Sequence, residues 1–214
     1  MSFLVAIEGI DGSGKGTQAE LLAARGRAEG LRVATFSFPR YGANAFSRLI
    51  GDYLNGALGE VPPELPALLY AGDRFAAREE LAEALAEHDL VLLDRYVASN
   101  LAHQAANAAP GRRRALLDWI VEIEHGLYAL PRPDLTVLLE LPVARAREQV
   151  RRKAPRGYTA LAEDVLEGAE AHLEAAAAVY RELAEGDPSW VRVDAAREPE
   201  AVAADVWRLV EERR

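Results

Sequence analysis

The apolar run Phe3–Ile7 passes within one residue into Gly9-Ile10-Asp11-Gly12-Ser13-Gly14-Lys15-Gly16-Thr17, and a helical pattern follows over Thr17–Glu29. Strand, glycine loop and helix in that order build a phosphate cradle. The glycines let the backbone N–H groups turn inward, the helix N-terminus adds positive potential, and the lysine reaches the β- and γ-phosphates. A G-x-x-x-x-G-K match by itself turns up by chance in about one chain in fifteen of this length. The strand before it and the helix after it separate this loop from a glycine turn with a solvated lysine. Position 16, where the pattern asks for a metal-binding Ser or Thr, is Gly. Thr17 does not replace it, because one step round a helix is a turn of about 100°. The metal ligands therefore stay open, with Asp11 in the loop and Asp94 further on as candidates. Asp94 could equally cap a helix or pair with a neighbouring arginine.

Four more short runs rich in Val, Leu and Ile occur at Val33–Phe38, Leu90–Leu93, Leu135–Leu139 and Trp190–Val193. Between the runs lie stretches with three-and-four apolar spacing, among them Pro66–Glu87, Arg113–Leu127 and Glu163–Ala184. This alternation predicts an α/β fold, a doubly wound parallel sheet of five strands flanked by helices, of the P-loop NTPase type. Ligands on such sheets sit at the carboxyl ends of the strands, so the loops after Ile7, Phe38 and Leu93 should converge. With 214 residues, half of them apolar, a single domain over 1–214 is expected.

A net charge of −9 argues against nucleic acid as partner, so any phosphate site must be a local basic pocket. There is no cysteine, hence no disulfide or thiolate metal site. The first eight residues are too short for a signal peptide, and no apolar run approaches the ~20 residues a bilayer needs. A cytoplasmic location and no membrane contact are expected.

The loop after the second run reads Phe38-Pro39-Arg40-Tyr41-Gly42, and the one after the third Asp94-Arg95-Tyr96-Val97-Ala98-Ser99-Asn100. Two arginine forks beside a phosphate-binding loop suit a second phosphate, although either alone reads as a surface ion pair. Tyr70 and Arg74 lie four apart on a predicted helix, where a ring beside a guanidinium can hold a flat base; the alternative is a core-facing tyrosine. These pieces, in this order and together with Asp73-Arg74, resemble the thymidylate kinases, in particular the bacterial and actinobacterial forms. The likeness runs over nearly the whole chain. It implies a nucleoside monophosphate kinase fold with a lid, phosphoryl transfer from ATP to dTMP to give dTDP for dTTP synthesis, Mg²⁺ as cofactor, and a homodimer. It also implies that Gly9 to Thr17 bind ATP and that Lys15, Asp11, Arg40 and Arg95 serve the reaction. Arg40, Tyr41 and Arg95 would hold the dTMP phosphate, Tyr70 would stack on thymine, and Arg74 and Asn100 would read its polar edge, with Phe38 and Gln104 also in the binding site. His103 stands where these kinases usually have a tyrosine close to the sugar. His88, His125 and His172 fit exposed helix positions and receive no role.

Arg145, Arg147, Arg151, Arg152, Lys153 and Arg156 face only Glu148 among acidic residues between 145 and 156. With Pro155 and Gly157 they mark a lid at about 147–160 that could bring Arg151 and Arg156 onto the transferring group; a solvated helix end is the plainer alternative. Asp164 and Glu167 match an acidic pair of the resembled family and could steer the metal or the lid. The loop Asp194–Arg197 is expected on the far side of the phosphate loop, near adenine. Two rival readings stand beside this one. Another nucleotide kinase is the nearer, since Gly14-Lys15-Gly16-Thr17-Gln18 also resembles the adenylate kinase loop. A nucleotide-dependent switch is the other, but it would want an N-K-x-D motif that the chain lacks.

Overall fold

A computed structural model describes residues 2–152 and 170–214, except the side chain at position 110. Five parallel strands, β1 (Phe3–Glu8), β2 (Val33–Ser37), β3 (Leu90–Asp94), β4 (Leu135–Glu140) and β5 (Trp190–Asp194), form one sheet in the order β2-β3-β1-β4-β5. The three central strands are apolar almost throughout because helices cover both faces. On one face Val5, Ile7, Leu92 and Val137 pack with Leu22, Val206 and Trp207; on the other, Leu4, Ala6, Val91 and Leu93 pack with Leu101, Leu116 and Ile120. The period of two in the strands thus divides the core into two layers. The edge strands β2 and β5 are more polar and partly exposed, since each has a neighbouring strand on one side only.

The helices are α1 (Lys15–Ala28), α2 (Ala45–Leu54), α3 (Glu64–Ala76), α4 (Arg78–Glu87), α5 (Val97–Asn107), α6 (Arg113–Val121), α7 (Val143–Arg152), α8 (Glu170–Glu185) and α9 (Pro199–Arg213). Two depart from the sequence reading. The stretch Pro66–Glu87 is two helices, broken at Ala77, where φ is −99° and ψ is 2°. The stretch Arg113–Leu127 is α-helical only to Val121 and then widens into a π-helical turn over Glu122–Leu127. A π turn shifts the side chains that follow it round the axis, and here it carries Glu124 into the interior. Alanines let α5 and α8 approach closely, with Ala102, Ala105 and Ala176 all fully buried. No helix among the described residues is long and apolar enough to cross a membrane.

Candidate active site

The phosphate loop begins where β1 ends, in the crevice between β1 and β3. Gly9, Gly12 and Gly14 have φ of +142°, +85° and +93°, and Gly14 is the residue before α1. At Gly12 glycine is required twice over, by its φ and because a Cβ there would stand 2.1 Å from the carbonyl oxygen of Ala146. Lys15 starts α1, and its Nζ donates to the carbonyls of Gly9 (2.9 Å) and Ile10 (2.8 Å). The ammonium is therefore held within the loop's own curve. A Cβ on Gly16 would lie 3.3 Å from Asp94 Oδ2, which sets the end of β3 against the start of α1.

The buried carboxylate of Glu8, the last residue of β1, organises the adjoining wall. It accepts from the N–H groups of Tyr96 (2.8 Å) and Ser99 (3.2 Å), from Ser99 Oγ (2.6 Å) and from Tyr180 Oη (3.0 Å). An anion at the first turn of α5 satisfies helix N–H groups that have no intrahelical acceptor. Burial, and next the charge of Glu8, pushes the Tyr180 hydroxyl well above its ordinary value, so it remains a donor. Between Glu8 and this helix start lies Arg95, whose φ of +66° is left-handed. Its N–H bonds to Ile7 O at 3.0 Å, and its guanidinium reaches Asp11 and, at 3.4 Å, Ser99 Oγ. Asp11, Asp94 and Arg95 thus meet at one rim.

A cavity of about 290 Å³ opens from this rim. Asp11, Gly12, Gly14, Lys15, Gly16 and Asp94 line it on one side, and Phe38, Tyr41, Tyr70, Arg74, Arg95, Asn100, His103 and Gln104 on the other. Of the residues expected at the acceptor site, only Arg40 is not in its wall. Its fork lies on Glu80 Oε1 at 3.1 Å, while its backbone N–H donates to the buried carboxylate of Asp73 at 2.8 Å. Asp73 also accepts from Asn44 Nδ2 at 2.7 Å, which ties the loop after β2 to α3.

Deeper in, Glu124 takes Arg74 Nε at 2.5 Å and Nη2 at 2.7 Å, both partners being almost wholly buried. Burial opposes the guanidinium charge, but the Glu124 carboxylate outweighs it and raises the Arg74 pKa. Asn100 Nδ2 donates to the same carboxylate at 2.8 Å and to Ala67 O at 3.0 Å. Both amide hydrogens are thereby used, and the side chain cannot flip without losing both bonds. Asn100 Oδ1, His103 Nε2 and both polar atoms of Gln104 are buried with no hydrogen-bond partner in the protein. An orphaned buried polar group costs about 1–3 kcal/mol, and several along one face of α5 mark a wall built for a polar ligand.

Arg151 is exposed in the last turn of α7, while Lys153, Arg156, Asp164 and Glu167 lie outside the described residues. At the start of α7, Arg145 donates to Ala196 O at 3.1 Å, and Gln18 of α1 donates to Pro199 O at 2.9 Å. The first bond sets the loop after β5 against α7, and the second ties α1 to the start of α9. The histidines need a correction: His172 is buried, not exposed, because the close α5–α8 packing turns it onto His103, while His88 and His125 are half-buried. Sequence reasoning gives no role to Glu8, Asp73 or Glu124 either. A carboxylate closing an otherwise apolar strand is a usable signal for Glu8. Nothing local marks the π turn that aims Glu124 inward.

The family model for thymidylate kinase matches residues 7–206. A thymidylate kinase of Mycobacterium tuberculosis is 36% identical over 205 residues, covering 94% of this chain and 95% of its own. One from Thermomicrobium roseum is 36% identical over 216 residues, with 99% and 96% covered. Among solved structures, that of a thymidylate kinase from Candida albicans superimposes with a TM-score of 0.80 at 24% identity, over 99% of this chain and 92% of that one, which shows the fold. The chain belongs to the thymidylate kinase family.

Proposed function

We propose that this chain transfers the γ-phosphoryl group of ATP to dTMP, giving dTDP and ADP. The observation that carries the acceptor reading is the fixed orientation of Asn100, which lines the same cavity as the phosphate loop and whose Oδ1 has no partner in the protein. The edge of thymine offers an N3–H donor between two carbonyl oxygens. Its N–H suits Asn100 Oδ1, and a carbonyl suits Arg74 Nη1, which Glu124 leaves available. Cytosine would bring a lone pair to the Asn100 oxygen instead. Tyr70 supplies a ring beside that edge, and Phe38, Tyr41 and Gln104 complete the wall. At the other end Arg95, with Arg40 if it leaves Glu80, would hold the dTMP phosphate.

In the reaction an oxygen of that phosphate forms a bond to the γ-phosphorus of ATP while the bond from the γ-phosphorus to the β–γ bridging oxygen breaks. The acceptor oxygen is already anionic, so no general base is needed and the residues act by positioning and charge. Lys15 and the loop N–H groups from Gly9 to Thr17 bind the donor phosphates, Asp11 holds Arg95 in place, and Arg151 and Arg156 of the lid would approach the transferring group. Among the described residues no cluster of three metal-ligating side chains exists. Mg²⁺ is typically bound through one or two carboxylates, water and the substrate phosphates. Asp94 and Asp11 would hold it, with Glu167 further along the chain. Mg²⁺ supplies charge neutralisation on the phosphate oxygens.

A cytoplasmic homodimer is part of the proposal. Phe46, Leu49, Leu65 and Leu68 on α2 and α3 are more than a third exposed, which supports those helices as the dimer face. The test of function is ADP release with Mg-ATP across dTMP, dUMP, dGMP, AMP and CMP. A kcat/KM highest for dTMP is expected; AMP or CMP leading would overturn the acceptor reading, and no turnover at all would overturn the kinase reading.

A further inference from the structure

Three side chains form a hydrogen-bonded line from the surface to the cavity. Asn107, the last residue of α5, places Oδ1 2.9 Å from His172 Nδ1, and His172 Nε2 lies 3.1 Å from His103 Nδ1. The two imidazoles are 5.4 Å apart between centroids, and the Tyr180 ring stands edge-on to His103 at 6.3 Å. His103 Nε2, at the far end, is buried, has no hydrogen-bond partner in the protein, and belongs to a ring that lines the cavity. His103 is 9% exposed and His172 8%. Neither ring is placed as a surface histidine.

With Asn107 presenting Oδ1 to His172, proton counting along this line has one solution. A carbonyl oxygen only accepts, so the hydrogen between Asn107 and His172 belongs to His172 Nδ1. Burial, then Arg95, His172 and Lys15, holds His103 well below the ordinary imidazole value, and burial lowers His172, so each ring carries a single N–H at neutral pH. With its hydrogen on Nδ1, His172 offers a bare Nε2. The hydrogen between the rings must therefore come from His103 Nδ1, which strips Nε2 of His103. His103 Nε2, the unpartnered buried end of a ring that lines the cavity, is left with a lone pair.

We propose that His172 is a positioning residue that fixes the tautomer of His103, so that His103 Nε2 accepts a hydrogen bond from a sugar hydroxyl of the acceptor nucleotide. The location on α5 selects the sugar. Four residues apart, Asn100 and Gln104 form one stripe, on the side of Arg74 and Glu124; Ser99 and His103 form the neighbouring stripe, on the side of Arg95. His103 stands between the base-reading and phosphate-holding groups, where a nucleotide carries its ribose, and a hydroxyl is the donor a sugar has to give. This inference rests on the nucleotide reading above. It also gives α8 a task at the substrate, since Tyr180, two turns on, holds Glu8 and Ser99 through the same interface.

The first measurement is the ring ¹⁵N spectrum of the whole protein, with His88, His103, His125 and His172 assigned by substitution. His103 protonated at Nδ1 and bare at Nε2 is expected; a proton on Nε2 overturns the proposal and needs no variant to fold. The second is dTMP, its 3′-deoxy analogue and its ribo analogue against wild type, His103→Phe, His172→Phe and His172→Gln, by calorimetry and by steady-state kinetics, with melts to check folding. In wild type one hydroxyl, 2′ or 3′, should improve Kd and KM about three- to tenfold with little change in kcat. His172→Phe should abolish that gain as His103→Phe does, and His172→Gln, which keeps an acceptor, should restore it. The pair of analogues that shows the loss identifies the hydroxyl. A gain that survives His172→Phe, or no gain for either hydroxyl, overturns the relay. Retained dTMP binding with no turnover would strike the kinase reading alone, since calorimetry and the ¹⁵N spectrum need no catalysis.

Discussion

Replacing Glu124 by Leu removes the partner of a guanidinium that is 2% exposed, and three hydrogen bonds of 2.5 to 2.8 Å go with it. Arg74 would be left charged in the interior with no counter-charge beside it. Breaking a buried pair from one side costs about 3–5 kcal/mol. For a chain of this length each kcal/mol moves the melting temperature by about 2–4 °C, so a fall of roughly 6–20 °C is expected. The pair as a whole contributes far less, because its mutual attraction offsets the desolvation of two ions. Arg74→Met with Glu124→Leu, both apolar and of similar volume, should therefore stand within about 1–2 kcal/mol of wild type, most of the deficit being the lost acceptor of Asn100 Nδ2. Urea unfolding of the four proteins closes the cycle. The double variant should fold and still lack the dTMP preference, since the donor of Arg74 and the anchor of Asn100 are gone. A cost under about 1 kcal/mol for Glu124→Leu alone, or a double variant as unstable as the two singles summed, would refute the reasoning.

Gly12→Ala forces a Cβ to 2.1 Å from Ala146 O at a φ of +85°, and the displaced loop should lower kcat/KM about 10²-fold or more in steady-state assays. Glu8→Gln keeps the shape but removes the charge that four donors share, and a loss of about 2–4 kcal/mol in urea unfolding is expected, with KM for dTMP raised because Ser99, which Arg95 touches, loses its anchor. Stability should fall as pH drops below about 6.5: His103 and His172 have folded pKa values beneath the unfolded one, so the unfolded chain takes up protons that the native one refuses. Each such imidazole contributes up to about 1.4 kcal/mol per pH unit below 6.5, and His103→Phe should flatten the slope measured by urea unfolding between pH 7.5 and 5.5. Glu80→Ala releases the fork of Arg40 and should lower KM for dTMP at low salt, whereas an unchanged KM would mean that Arg40 never leaves for the cavity.

What the sequence discloses here is whatever is encoded locally. An apolar run makes a strand wherever it lies, so all five strands and their parallel arrangement are legible, and the glycines at 9, 12 and 14 announce a loop whose φ values only glycine takes easily. The loops after β1, β2 and β3 are legible as a site because any doubly wound sheet brings strand ends together. The partners that make the site work come from contacts distant in the chain, and no spacing rule reaches them. Glu124 meets Arg74 across 50 residues by way of a π turn, Glu8 meets Tyr180 across 172, and His172 meets His103 across 69. In each case a charged or polar residue to which the sequence reading gives no role is drawn inward by the need of another buried group for a partner. Desolvation explains the pattern: a guanidinium or an imidazole can be buried at the substrate only where a second group answers it. The acceptor residues visible in the sequence therefore imply partners that are not. Arg74, Asn100 and His103 all stand on helices, and each is fixed by a residue from another element, so the rigidity of the cavity wall resides in Glu124 and His172 as much as in the residues that line it.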